Sequence, residues 1–146
     1  MSWSAITEAK LLTQISGDEL EALRAAALAD GQDDPVDPSI EQVTDEVRGY
    51  VAGCRSNTLD DDATKIPDRL MRAAVIMVIV EIIGRVPGYE VEEKRQKRYD
   101  QALSLMRLVA NCKYPIEDAS TGSDVTPSPS FTERTRNFER SDQEGI

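Results

Sequence analysis

Histidine is absent from this 146-residue chain, which removes the commonest general base and the commonest metal ligand at one stroke. The next place to look for chemistry is the acidic run Asp60-Asp61-Asp62. Three consecutive acids lack the alternate spacing and closing glutamate with which a calcium loop wraps its ion, so the run reads as a solvated acidic loop. Glu81 interrupts an otherwise apolar stretch. Acid–base work would need a second titratable group beside it in a pocket, and none is identifiable. A salt bridge or a subunit contact is the expected role, since acids are rarely buried unpaired. No serine has a histidine partner, and neither Cys54 nor Cys112 has an activating neighbour. The two cysteines sit at apolar helical positions without ligand spacing. A reduced intracellular chain is the plain reading, with a disulfide between them left open. Lys94 to Arg98 is basic, yet Glu90, Glu92 and Glu93 beside it offer intrahelical pairing and point to a solvated helix face. The glycines at 84 and 88 bracket a helix break and do not cradle a phosphate. The expectation is a protein that is not an enzyme, with no catalytic, cofactor-binding or metal-binding residues.

The elements that would position these groups are helical. Ile66 to Val86 is the most apolar stretch, and from Ala73 to Ile83 its only polar residue is Glu81. A run this long without turn residues reads as a helix. Pro67 and Asp68 suit its first turn, and Gly84, Pro87 and Gly88 close it. Apolar on nearly every side, it must be wrapped by other protein, and Val75, Ile76, Ile79 and Ile83 are expected in the core. Its uninterrupted apolar part is too short for a bilayer, which needs about 20 residues. Upstream, Thr7 can cap a short helix through Ile15. Ser16 and Glu19 have the spacing of a capping box opening a second helix to Asp30-Gly31. A third helix starts at Asp37-Pro38 and runs to Cys54, with Ile40, Val43, Val47, Tyr50 and Val51 at a 3.6-residue period. Residues 55–65 form a polar loop. A fifth helix, from about Glu90 to Cys112, has a charged first half that overhangs the bundle and an apolar second half. No segment alternates like a strand, so the fold class is all-α. The arrangement expected is a five-helix bundle around the helix at 66–86, with a long extended C-terminal tail.

That tail divides the chain into a helical domain at 1–114 and a tail at 115–146. Residues 119–130 are mostly Ser, Thr, Pro and Gly with a single charge, the composition of a linker. Residues 131–146 read as a docking peptide. They hold the only two phenylalanines of the chain, Phe131 and Phe138, which a solvated tail has no folding reason to keep. With Arg134, Arg136 and Arg140 they are the expected partner-binding residues: rings as apolar anchors, arginines meeting acidic groups on a neighbouring subunit or another assembly component.

The formal net charge is −10, concentrated in residues 1–65. An acidic chain with no basic stripe argues against gripping the nucleic-acid backbone. The opening MSWSAITEAK has no basic region followed by an apolar stretch, so no secretory signal is expected.

Four strings, in order, resemble the tailed-phage head–tail connector proteins, also called adaptor or head-completion proteins, most nearly the Mu-like members. SAITEAKLLTQISGDELEAL is similar to the family's short helix, Ser/Gly break and second helix. DEVRGYVAG is similar to its third helix, IPDRLMRAAVIMVI to the entry of its central helix, and RQKRYDQALSLMRLVANC to its last helix. They span about residues 4–112. The resemblance implies a non-enzymatic virion protein of the neck, assembled in the host bacterial cytoplasm. Its subunits form a homo-oligomeric ring, usually a dodecamer, between the portal and a downstream neck or tail protein. DNA passes through the lumen without sequence-specific binding, and no membrane is involved. The acidic Gly31–Pro38 insert and the tail past Ser120 depart from the Mu-like pattern. A helical regulatory module, binding protein or DNA through the basic start of the fifth helix, is the alternative.

Overall fold

The computed structural model describes residues 2–118. The chain opens with strand β1 (Trp3–Ala5), then helices α1 (Glu8–Leu11), α2 (Gly17–Ala29) and α3 (Val36–Gly53). Strand β2 (Lys65–Pro67) and a 3-10 turn (Asp68–Leu70) lead into α4 (Met71–Arg85), and α5 (Glu93–Ala110) follows. Helix α4 is the hub, packing against α5 and α3 and, less extensively, α1 and α2. Eight of its fifteen residues are buried, Val75, Ile79 and Ile83 among them. Fully burying side chains of this size contributes about 1.5–3 kcal/mol each. Ile76 is only half-buried, because the side of α4 it occupies borders an open groove.

Two details depart from expectation. The fold is mostly helical, in line with the all-α expectation, and adds one small sheet: β1 and β2 pair antiparallel, with Trp3 opposite Pro67, Ser4 opposite Ile66 and Ala5 opposite Lys65. The central helix also starts at Met71, five residues later than its apolar run begins. Both differences have one cause. Pro67 lacks an N–H and fixes its own φ, which suits the end of an edge strand as well as a first helical turn. Asp68 then anchors the N-terminal segment: its carboxylate accepts from the Ser2 amide (3.2 Å), the Ser2 hydroxyl (3.1 Å) and the Ser4 hydroxyl. These bonds draw residues 2–5 alongside 65–67 and keep the chain extended there.

Helix starts follow the capping logic in part. Ser16 Oγ accepts from the Glu19 amide at 3.2 Å, half of a capping box. The Glu19 carboxylate does not reach back; it takes the Arg95 guanidinium of α5, one contact of which is 2.7 Å. Helix α1 is a single turn, shorter than expected, and Thr7 makes no side-chain cap. Helix α3 begins at Val36 with Pro38 in its first turn, and Asp34 Oδ1 receives the Val36 amide at 3.0 Å. Gly31 ends α2 with φ of +79°, a left-handed exit that glycine takes without a Cβ penalty.

At the opposite end of α3 the chain comes close to α5. A Cβ on Gly53 would stand 3.2 Å from Ala110 Cβ, so the small residue permits the approach. There Cys54 and Cys112 are bridged by a disulfide, 58 residues apart in sequence. The reduced reading is thereby corrected: two apolar helical positions far apart in the chain meet because α3 and α5 run out at the same end. Past α5, Tyr114 and Ile116 pack against the core. The Trp3 indole N–H donates to the Glu117 carbonyl at 2.9 Å.

Candidate functional site

The residues expected to bind a partner, Phe131, Arg134, Arg136, Phe138 and Arg140, lie outside the described residues, as does the whole of the linker at 119–130. The other groups singled out for chemistry are all placed, and each has a structural occupation. Glu81 is half-buried and pairs with Arg85 one turn on, at 3.3 Å; Arg85 in turn donates to Gln42 on α3 at 2.7 Å. Asp60 is buried, contrary to the reading of the acidic run as solvated throughout. Its carboxylate accepts from the Asp62 amide (2.9 Å), and Asp62 accepts from the Thr64 amide and hydroxyl (3.0 and 2.7 Å). The run is thus a pair of consecutive side-chain-to-backbone turns. Arg48 of α3 holds the loop from beneath, donating to the carbonyls of Asp60, Asp62 and Lys65 at 2.7–3.0 Å. Its guanidinium also sits 5.7 Å from the centre of the Trp3 ring, within cation–π range.

The basic start of α5 is engaged in part. Arg95 is committed to Glu19 across the helix pair, and Lys97 meets Glu93 at 3.4 Å. The overhang is therefore tied back to α2. The Glu19 carboxyl lies below its ordinary range because of the Arg95 hydrogen bonds. The same pairing raises the pKa of Arg95.

Two of the open clefts among the described residues lie beside these elements. One, of about 390 Å³, lies between α4 and α5, with an apolar floor from Ala73, Ile76, Ala102 and Leu105 and with Arg72 and Arg98 at its rim. The other is larger, about 550 Å³, and lies between the start of α3, the β1–α1 segment and the loop at 63–64. Ile6 and Ile40, with the smaller Ala5 and Ala63, are its apolar side chains, and Glu8, Asp37, Glu41 and Asp45 its acids. Among the described residues no lysine or arginine lines it. Glu8 is already held by Arg24 through both carboxylate oxygens, at 2.7 and 2.8 Å, which keeps its pKa below the ordinary value. Asp37, Glu41 and Asp45 are exposed and form no ion pair among the described residues. The signal for this cleft was present in the sequence, three acids at i, i+4 and i+8 on one face of α3. What that pattern could not supply was the second wall, which depends on β1 pairing with β2.

Among the described residues no group of three or more His, Cys, Asp or Glu is placed to hold a metal ion. No helix among them is long and apolar enough to cross a membrane. No curated protein and no solved structure matches the chain. One family model does match, and it covers residues 6–133, from the end of β1 through every helix and into the tail. That span takes in well over half of the sequence, and the chain belongs to the phage protein family described as Bacteriophage Mu, Gp36.

Proposed function

We propose that this chain is a structural subunit of the phage neck. In this reading it forms a ring adaptor between the portal and the tail or next neck component, extending the channel through which DNA passes. The observation that carries it is membership of the Mu Gp36 family over residues 6–133. Two features of the fold support it. The hub helix leaves Ile76 and Val80 only half covered by its own chain, which suits a subunit with neighbours. The net charge of −10 suits a lumen that must not grip DNA. The role requires no catalytic step and no cofactor, and it places the protein in the virion after assembly in the host cytoplasm.

Electron microscopy of the purified chain, alone and mixed with the portal of the same phage, tests this directly. Closed rings, or a density collar seated on the portal, are expected. A protein that stays monomeric with portal present, and fails to co-sediment with it, would remove the ring-adaptor role.

A further inference from the structure

We propose that copies of this chain join head to tail. The acidic face of α3, at Asp37, Ile40, Glu41 and Asp45, seats in the α4–α5 groove of the next copy, where Arg72 and Arg98 meet its carboxylates. The proposal deepens the ring reading and rests on it for the presence of neighbouring copies; what it adds is which two faces meet.

Three observations converge on a second copy as the occupant. The first is that one chain carries both halves of the contact. Among the described residues the groove is lined by arginines and no acid, and the α3 cleft by acids and no base. The two linings share no residue. Charges beside them are already engaged: Arg24 takes Glu8, Glu117 takes Arg69 at 3.5 Å, and Lys10 donates to the Ala5 carbonyl at 2.7 Å. That leaves Arg72 and Arg98 on one side and Asp37, Glu41 and Asp45 on the other. All five are exposed and form no ion pair among the described residues. The second is shape and polarity. Residues 37, 41 and 45 stand one helical turn apart and make a ridge along α3, and an i, i+4 ridge is the shape that packs into a helical groove. Ile40 is half-buried within that ridge, as Ile76 and Leu105 are in the groove floor. Leu108, three residues past Leu105, is an exposed large apolar side chain. Seating the ridge covers this apolar surface while the charges meet at its edge. The third is symmetry. A two-fold contact sets a patch against itself, which here would oppose acid to acid or arginine to arginine. Of these two faces only the unlike pair attracts, and a contact between different faces repeats from copy to copy into a ring or a filament.

Charge reversal in the full chain tests the pairing. One double variant, Glu41→Arg, Asp45→Arg, turns the acidic face basic; another, Arg72→Glu, Arg98→Glu, turns the groove acidic; a quadruple variant carries both pairs. All four positions are exposed, and circular dichroism checks that the helices are intact. Assembly is read free, by sedimentation velocity at low salt, and by electron microscopy on the portal of the same phage. Each double variant sets like charges against each other, and its apparent association should weaken about tenfold or more. An equimolar mixture of the two double variants should regain assembly, as should the quadruple variant alone, because in both an acidic face again meets a basic one. Loss in the double variants that is regained in neither case would overturn the proposal. So would assembly that none of the changes disturbs, which leaves the groove to another occupant. Both results keep the ring reading, since the wild type still assembles. A wild type that forms no multimer in either setting removes the ring reading, and this contact with it.

Discussion

Glu46, Glu81 and Tyr99 come from three different helices and meet where α3, α4 and α5 pack. Desolvation pushes the Glu46 carboxyl above the ordinary glutamate range, and the charge of Glu81 adds to the rise. Tyr99 is raised for the same reasons, desolvation first and then both carboxylates. Asp68 behaves in the opposite way, its carboxyl lowered by the hydroxyls of Ser4 and Ser2 and by the Ser2 amide. The two acids therefore act on stability with opposite signs. A raised folded pKa favours folding below the unfolded value, about 4.3 for glutamate, and that contribution is lost as pH rises through the folded value. A lowered folded pKa contributes above the unfolded value, about 3.9 for aspartate, and is lost as pH falls through the folded one. Glu46→Gln should thus raise the urea midpoint at pH 7 and leave it unchanged below pH 4. Asp68→Asn should cost about 1 kcal/mol at pH 7, less than a buried charged hydrogen bond would because these bonds are largely exposed to solvent, with the cost shrinking in acid. Urea titrations of both variants at the two pH values check this; equal effects at both would contradict the assigned shifts.

At the scale of elements, the helices were legible because their apolar positions recur with the helical period. Ser16 marked the start of α2, and the apolar residues of α3 marked its buried face. The strands were not legible. Three residues cannot display alternation, and what makes them strands is the Asp68 contact with residues 2–4, more than sixty positions away. The disulfide was hidden for the same reason, since only the packing of α3 on α5 brings Cys54 to Cys112. The bridge closes a loop of 58 residues, and constraining such a loop in the unfolded chain is worth about 4 kcal/mol in the chain-entropy model. Cys112 has φ of +61°, a left-handed conformation that costs a non-glycine residue about 1–2 kcal/mol and that it can leave once the bridge is gone. The net loss on replacing both cysteines by serine should therefore be about 2–3 kcal/mol. Denaturant unfolding of the oxidised protein against the double variant measures it, with intact mass confirming the bridge beforehand. Coincident midpoints would mean the bridge adds nothing beyond the packing of the helix ends.

For the molecule as a whole the question is what the charge distribution permits around DNA. Acids dominate the first 65 residues, and the basic start of α5 was the one stretch that suggested a nucleic-acid contact. Of its basic residues Arg95 is spent on Glu19, and Lys97 meets Glu93 on the exposed face of the helix. Arg69, at the mouth of the groove between α4 and α5, is occupied by Glu117 at 3.5 Å. Arg72 and Arg98 remain at the rim of that groove, too few to neutralise the run of phosphates that gives non-specific binding its strength. The formal net charge of −10 opposes the approach of a polyanion. Charge-driven affinity is greatest at low salt, so filter binding of duplex DNA to the isolated protein at low ionic strength is the most demanding condition. No retention is expected up to about 100 µM, the weak end of non-specific binding. Tight retention with a salt dependence of several released counterions would be incompatible with a passive channel wall. It would transfer the argument to the basic face of α5 and to a regulator that reads DNA. Weak or absent binding, together with rings on the portal, is what a lumen that lets DNA slide requires.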